Sequence, residues 1–168
     1  SFIDVTDLDS DGEKEFLLLK GTTNDSPAAA VAYKLDADGI YHTYSEDLSG
    51  GFTEFDAVNY GSLESGETAL YIDAVSGNGL IQTDIVYMDD RGLQKAFANP
   101  AQSAVTQRPL GCRSFDIDGD GTLEIPVQRV AAGYSNAPEG ELMWLTDWLS
   151  VGKDGKTRLK YESYYSVG

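Results

Sequence analysis

The sequence predicts an all-β chain of three similar four-stranded antiparallel units, and three observations carry that expectation. Tight-turn glycines recur at Gly12, Gly66 and Gly121, separations of 54 and 55 residues. A second set of turn glycines follows at Gly39, Gly92 and Gly155, separated by 53 and 63 residues. Runs rich in β-branched and aromatic residues flank both sets, as strands do. No segment of useful length carries a helical period; Gln94–Asn99 is too short to count.

Each unit opens on a strand: Phe2–Val5, Phe55–Tyr60 and Leu110–Phe115. A turn rich in Asp or Gly comes next, at Asp7–Gly12, Gly61–Gly66 and Asp116–Gly121. The second strands are Glu15–Lys20, Ala69–Val75 and Glu124–Val130. Third and fourth strands then flank the hairpins Asp36–Gly39, Asp89–Gly92 and Lys153–Gly155. Asp-Gly and its relatives supply the positive φ that two-residue hairpins need. The longer last interval is accounted for by residues 131–141, an inserted loop of Gly, Pro, Ser and Asn.

These units divide one domain into residues 1–51, 52–104 and 105–168. Four antiparallel strands at a period of about 50 residues is the pattern of propeller blades. The expected fold is therefore all-β and propeller-like, with three four-stranded antiparallel blades. A ring closes with about four to eight blades, so three leave two apolar faces uncovered. The remainder of a longer propeller, or a homodimer forming a six-bladed ring, would cover them. The start at Ser1, with neither an initiating Met nor a leader, favours a segment of a longer protein.

Composition narrows the function classes. The chain has 28 acidic and 12 basic residues, a formal charge of −16 and a pI near 4.1. No cationic cluster is available to neutralise phosphates, which excludes a nucleic-acid binder. No run of about 18 apolar residues is present to insert into a membrane as a helix. Cys112 is the single cysteine, so no internal disulfide forms; the expectation is a small buried hydrophobe.

Part of the acidity is concentrated in two turns of one pattern, D-x-D-x-D-G-x-x-E. They are Asp7–Glu15 and Asp116–Glu124. Three carboxylates at alternate positions repel one another unless a cation sits among them, and calcium takes six to eight oxygens at flexible geometry. Asp7, Asp9, Asp11, the Glu13 carbonyl and Glu15 are the expected ligands of a first Ca2+. Asp116, Asp118, Asp120, the Thr122 carbonyl and Glu124 are those of a second. Magnesium is the weaker candidate, because it demands a rigid octahedron and keeps several waters.

A helix–loop–helix calcium hand begins in the same way but needs a glutamate at its twelfth position. Leu18 and Val127 stand there, inside apolar strands. The middle unit is an internal control. Gly61, Leu63, Ser65 and Ala69 occupy its ligand positions, so the turn is kept and the acids are gone.

The apolar–D-x-D-x-D-G-x-x-E–apolar turn, once per four-stranded unit, resembles the FG-GAP/VCBS-type repeats. These build the β-propellers of integrin α subunits and of many bacterial surface and secreted proteins. The resemblance spans nearly the whole chain, and two of three units match its metal motif. It implies calcium at the turn between the first two strands of a blade, and a bacterial extracellular or cell-envelope setting. The Phe-Gly and Gly-Ala-Pro signatures that name the family are absent.

Catalytic signatures are sparse. His42 is the only histidine and reads as a surface residue of a strand. No nucleophile motif occurs, and Gly77-Asn78-Gly79 lacks the lysine and helix of a phosphate loop. Trp144 and Trp148 alternate onto one strand face, where packing between blades is the expectation and sugar stacking the alternative. Tyr134, in the inserted loop, is a further candidate for ligand contact. The expected function is a calcium-stabilised, non-catalytic binding or scaffold module for a protein or carbohydrate. A polysaccharide-active propeller enzyme and a self-associating half-propeller are the alternatives.

Overall fold

The computed structural model describes residues 1–22, 28–48, 52–96, 111–133, 136 and 143–165. Among them are eleven strands and no helix. Sheet one joins β1 (Phe2–Thr6), β2 (Glu15–Lys20), β3 (Ala29–Leu35) and β4 (Tyr41–Asp47) in chain order. Sheet two joins β5 (Phe52–Ser62), β6 (Thr68–Ser76), β7 (Ile81–Asp89) and β8 (Gly92–Lys95) in the same way. Sheet three has three strands, ordered β11 (Thr157–Tyr165), β10 (Trp144–Val151) and β9 (Ile125–Val130). Every pairing within a sheet is antiparallel.

The expected first strand of the third unit, Leu110–Phe115, is corrected. Leu110 lies outside the described residues, and Phe115 alone pairs, in a single bridge to Glu124. The reason lies next door. The Ser114 N–H donates to Asp73 Oδ2 at 2.8 Å and the Ser114 hydroxyl to Asp73 Oδ1 at 2.8 Å. A backbone donor spent on a side chain is lost to a strand ladder.

The sheets stack through two cores. Leu17, Leu19, Ala30 and Ala32 of sheet one pack with Leu70, Ile72, Val86 and Met88 of sheet two. The alternate residues of sheet two, Ala69, Tyr71, Ile85 and Tyr87, pack with Leu123, Ile125 and Val151. The middle sheet is thus buried on both faces, so β6 and β7 are buried along nearly their whole length, Asp73, Gln82, Thr83 and Asp84 included. The described residues form an open stack of three sheets and do not close into a barrel or ring.

One face of sheet one remains uncovered. Ile3, Val5, Phe16, Leu35 and Tyr41 are between 41% and 72% exposed. Strand register places Val5 across from Phe16 and Leu35 across from Tyr41. Along β2 the burial alternates, with Glu15, Leu17 and Leu19 turned inward and Phe16 outward. Glu15 therefore stands at the end of a core-facing row, and that is how a carboxylate comes to be fully buried.

Candidate metal centre

Strands, not helices, flank the first turn, with β1 before it and β2 after it. The two turns share one hydrogen-bond plan. Asp7 caps its own loop, its Oδ1 accepting the Asp11 N–H at 3.1 Å and its Oδ2 the Gly12 N–H at 3.0 Å. Asp116 repeats this with the N–H groups of Asp120, at 3.1 Å, and Gly121, at 3.0 Å. Asp11 Oδ1 accepts the Glu13 N–H at 2.9 Å, and Asp120 Oδ1 the Thr122 N–H at 2.8 Å.

The backbone also matches. Gly12 and Gly121 carry φ of 93° and 87°, and the residues two before them, Ser10 and Gly119, carry 61° and 78°. Ser10 is the only non-glycine residue at positive φ among the described residues. Such a conformation is held by its surroundings, here the Asp7 cap on the two N–H groups that follow it.

The closing glutamates are equivalent too. Glu15 Oε2 accepts the Leu8 N–H at 2.7 Å, and Glu124 Oε2 accepts the Ile117 N–H at 3.2 Å. Both residues are fully buried, and in both the second oxygen, Oε1, has no hydrogen-bond partner. Asp9 Oδ1 is a third buried acceptor left without one. An ionised oxygen removed from water without a donor is costly, so these atoms point to a cation.

Distances agree. In each turn the position 1, 3 and 9 carboxylates, Asp7, Asp9 and Glu15 or Asp116, Asp118 and Glu124, bring oxygens within 4.8 Å of one another. Oxygens on opposite sides of one calcium are about 5 Å apart, so a single ion reaches all three. Two acidic clusters that could hold a metal ion are therefore built into the fold, from oxygen donors alone.

The fifth-position aspartates each hold a lysine. Asp11 Oδ2 meets Lys34 Nζ at 2.5 Å, and Asp120 Oδ2 meets Lys160 Nζ at 2.5 Å. Lys34 also pairs with Asp9 and lies 3.8 Å from Glu15 Oε1; Lys160 lies 3.7 Å from Asp118. Burial pushes the Glu15 and Glu124 carboxyls up, and their neighbouring aspartates add to the rise. The Lys160 ammonium holds Asp120 down at about 2, and Lys34 holds Asp11 below the usual range. Neither lysine carried any signal in the motif.

The other candidates divide. Tyr134 and most of the loop 131–141 lie outside the described residues. Trp144 and Trp148 face away from the second core, since Trp148 pairs with Pro126 while its neighbour Leu149 pairs with Ile125. Both are half-buried, and the Trp148 indole N–H donates to Ser163 Oγ at 3.2 Å. His42 is half-exposed on β4, its Nε2 2.8 Å from Asp36 Oδ2. Cys112 is half-buried.

A third polar cluster had no motif to announce it. Asp73, fully buried on β6, accepts from Thr83 Oγ1 at 2.5 Å as well as from Ser114. It ties sheet two to the segment that precedes the second acidic turn.

No protein-family model matches the chain, and no curated protein or solved structure matches it. The class the fold and site define is an all-β chain with two candidate metal-binding turns.

Proposed function

We propose that both acidic turns bind calcium and that the chain is a calcium-stabilised binding or scaffold module. The observation that carries this is the buried Oε1 of Glu15 and of Glu124, which accepts no hydrogen bond in either turn. One such atom is an oddity. Two, at the same position of a repeated motif and beside two further carboxylates each, make a site.

Calcium fits better than magnesium because the donors are a mixed, partly buried carboxylate set on a turn. Its role is structural. The first turn links β1 to β2 and the second leads into β9, and the ion offsets the repulsion among the carboxylates of each. The stacked sheets, two of four strands and one of three, and their uncovered apolar end support a propeller-like arrangement, of which this chain supplies three blades. A protein or carbohydrate ligand and a bacterial extracellular or envelope setting belong to the same reading, through the resemblance to FG-GAP/VCBS-type repeats.

Calorimetric titration of metal-stripped protein tests it by stoichiometry. Two calcium ions per chain are expected, because the middle turn has no acid at its ligand positions, Gly61, Leu63, Ser65 and Ala69. Zero, or three, contradicts the assignment.

A second reading has an observation of its own. The exposed row Ile3, Val5, Phe16, Leu35 and Tyr41 is of the kind that marks an interaction surface. Self-association of two chains through their end sheets would cover it.

A further inference from the structure

A lysine stands at each acidic turn where the cation would have to sit, and the two arrive by different routes. Lys34 extends from β3 and touches Asp9, Asp11 and Glu15. Lys160 extends from β11 and touches Asp120 and Asp118. The β2–β3 register pairs Phe16 with Tyr33, which sets Lys34 across from Glu15 one residue further on. The same step beyond the Ile125–Leu149 pair of sheet three gives Ser150, which has no amine.

There the ammonium comes from one strand further out. It lies at an irregularity where Trp148 pairs with Tyr161 and Leu149 with Leu159, leaving Lys160 between them. Repetition of the unit therefore does not account for a lysine at both turns. In the middle unit the matching residue is Tyr87, paired with Ala69; that turn has no acid at the ligand positions, and its Glu64 and Glu67 pair with Arg158 and Lys153.

We propose that Lys34 and Lys160 are tethered competitors for the divalent ion. This rests on the reading of the turns as calcium sites. In metal-free protein each ammonium acts as a monovalent stand-in, limiting repulsion among the carboxylates so that the turn stays formed. It must leave before calcium binds, because one set of oxygens cannot hold both cations in contact. Apparent affinity is then the intrinsic affinity reduced by the fraction of turns free of lysine, about tenfold if one turn in ten is free. Lys34 reaches three carboxylates and is 19% exposed, whereas Lys160 reaches two and is 36% exposed. Competition is stronger at the first turn.

The test is calcium titration and metal-free melting of the wild type, Lys34→Gln, Lys160→Gln and the control Lys14→Gln. Lys14 lies within the first turn and makes no ion pair among the described residues, so it removes charge without removing contact. Lys34→Gln and Lys160→Gln are each expected to tighten one site about tenfold while lowering the metal-free melting temperature. Lys14→Gln should do neither. A Lys34→Gln protein that folds only after calcium is added supports the proposal. If it does not fold at all, Lys160→Gln decides. Wild-type binding of two ions that both variants leave unchanged or weaken overturns the competition alone. Absence of calcium binding in all four proteins overturns the calcium assignment and the competition with it.

Discussion

Glu15 Oε2 accepts the backbone N–H of Leu8 at 2.7 Å across the whole first turn, while its Oε1 faces the aspartates with no donor. One oxygen builds the loop and the other is left for a cation. Glu124 and Ile117 repeat the relationship in the second turn.

Replacing Glu15 by Gln separates those two duties. The amide oxygen still accepts from Leu8, and the buried charge is gone. Metal-free protein should gain about 1 kcal/mol, since burial of that charge costs more than the Lys34 ammonium 3.8 Å away returns. Calcium binding at that turn should weaken by about tenfold or more. Melting with and without calcium reads both signs; a loss of metal-free stability would show that the carboxylate is satisfied as it stands.

Sheet one is hooked to sheet two by the Tyr60 hydroxyl, which donates to Asp4 Oδ2 at 2.7 Å. That bond, helped by the Val5 N–H, holds the Asp4 carboxyl below its usual range, and burial keeps the Tyr60 hydroxyl protonated. A carboxyl whose folded-state pKa is lowered stabilises the fold above its unfolded value, and that stability is lost as pH falls through the folded value. Tyr60→Phe should be less stable than wild type near neutrality, with the gap shrinking below pH ~4. Denaturant midpoints along an acid series measure it. A gap constant across that range would place the effect of Tyr60 in packing alone.

Asp73 is a structural latch independent of metal. Asp73→Ala strands the Ser114 N–H and the Thr83 hydroxyl in a buried site and should cost about 3 kcal/mol. The loss should be equal with and without calcium. A loss seen only in calcium-free buffer would mean that Asp73 acts through the adjacent turn.

Much of this architecture was legible in the sequence, because turn chemistry is local. The glycines at Gly12, Gly39, Gly66, Gly92 and Gly155 bound strands that form close to where they were expected, and β2 falls at Glu15–Lys20 as read. What was not legible is long-range. The 110–115 segment has strand-like composition, yet Asp73, some 40 residues earlier, takes the backbone donor of Ser114. Lys34 and Lys160 lie 23 and 40 residues from the aspartates they meet. Lys34 could have been found by counting back across the Gly39 hairpin to the residue opposite Glu15. Lys160 could not, because a register irregularity puts it there. Nor does an apolar strand announce which face stays open: Leu17 is buried and Phe16 beside it is not.

The open face makes its own prediction. Ile3→Lys with Phe16→Lys changes residues that touch neither core, so stability should move by less than about 1 kcal/mol. If end sheets associate, sedimentation of the wild type gives a defined dimer and the variant a monomer. A wild type that remains monomeric at high concentration removes the self-association reading.

The most direct test of the central claim is a thermal melt of metal-stripped protein, titrated with calcium and separately with magnesium, beside Asp9→Ala/Asp118→Ala. The prediction is a rise in melting temperature with calcium that magnesium does not reproduce and the double variant lacks. No shift up to millimolar calcium would contradict it, and the two buried glutamates would then need another explanation.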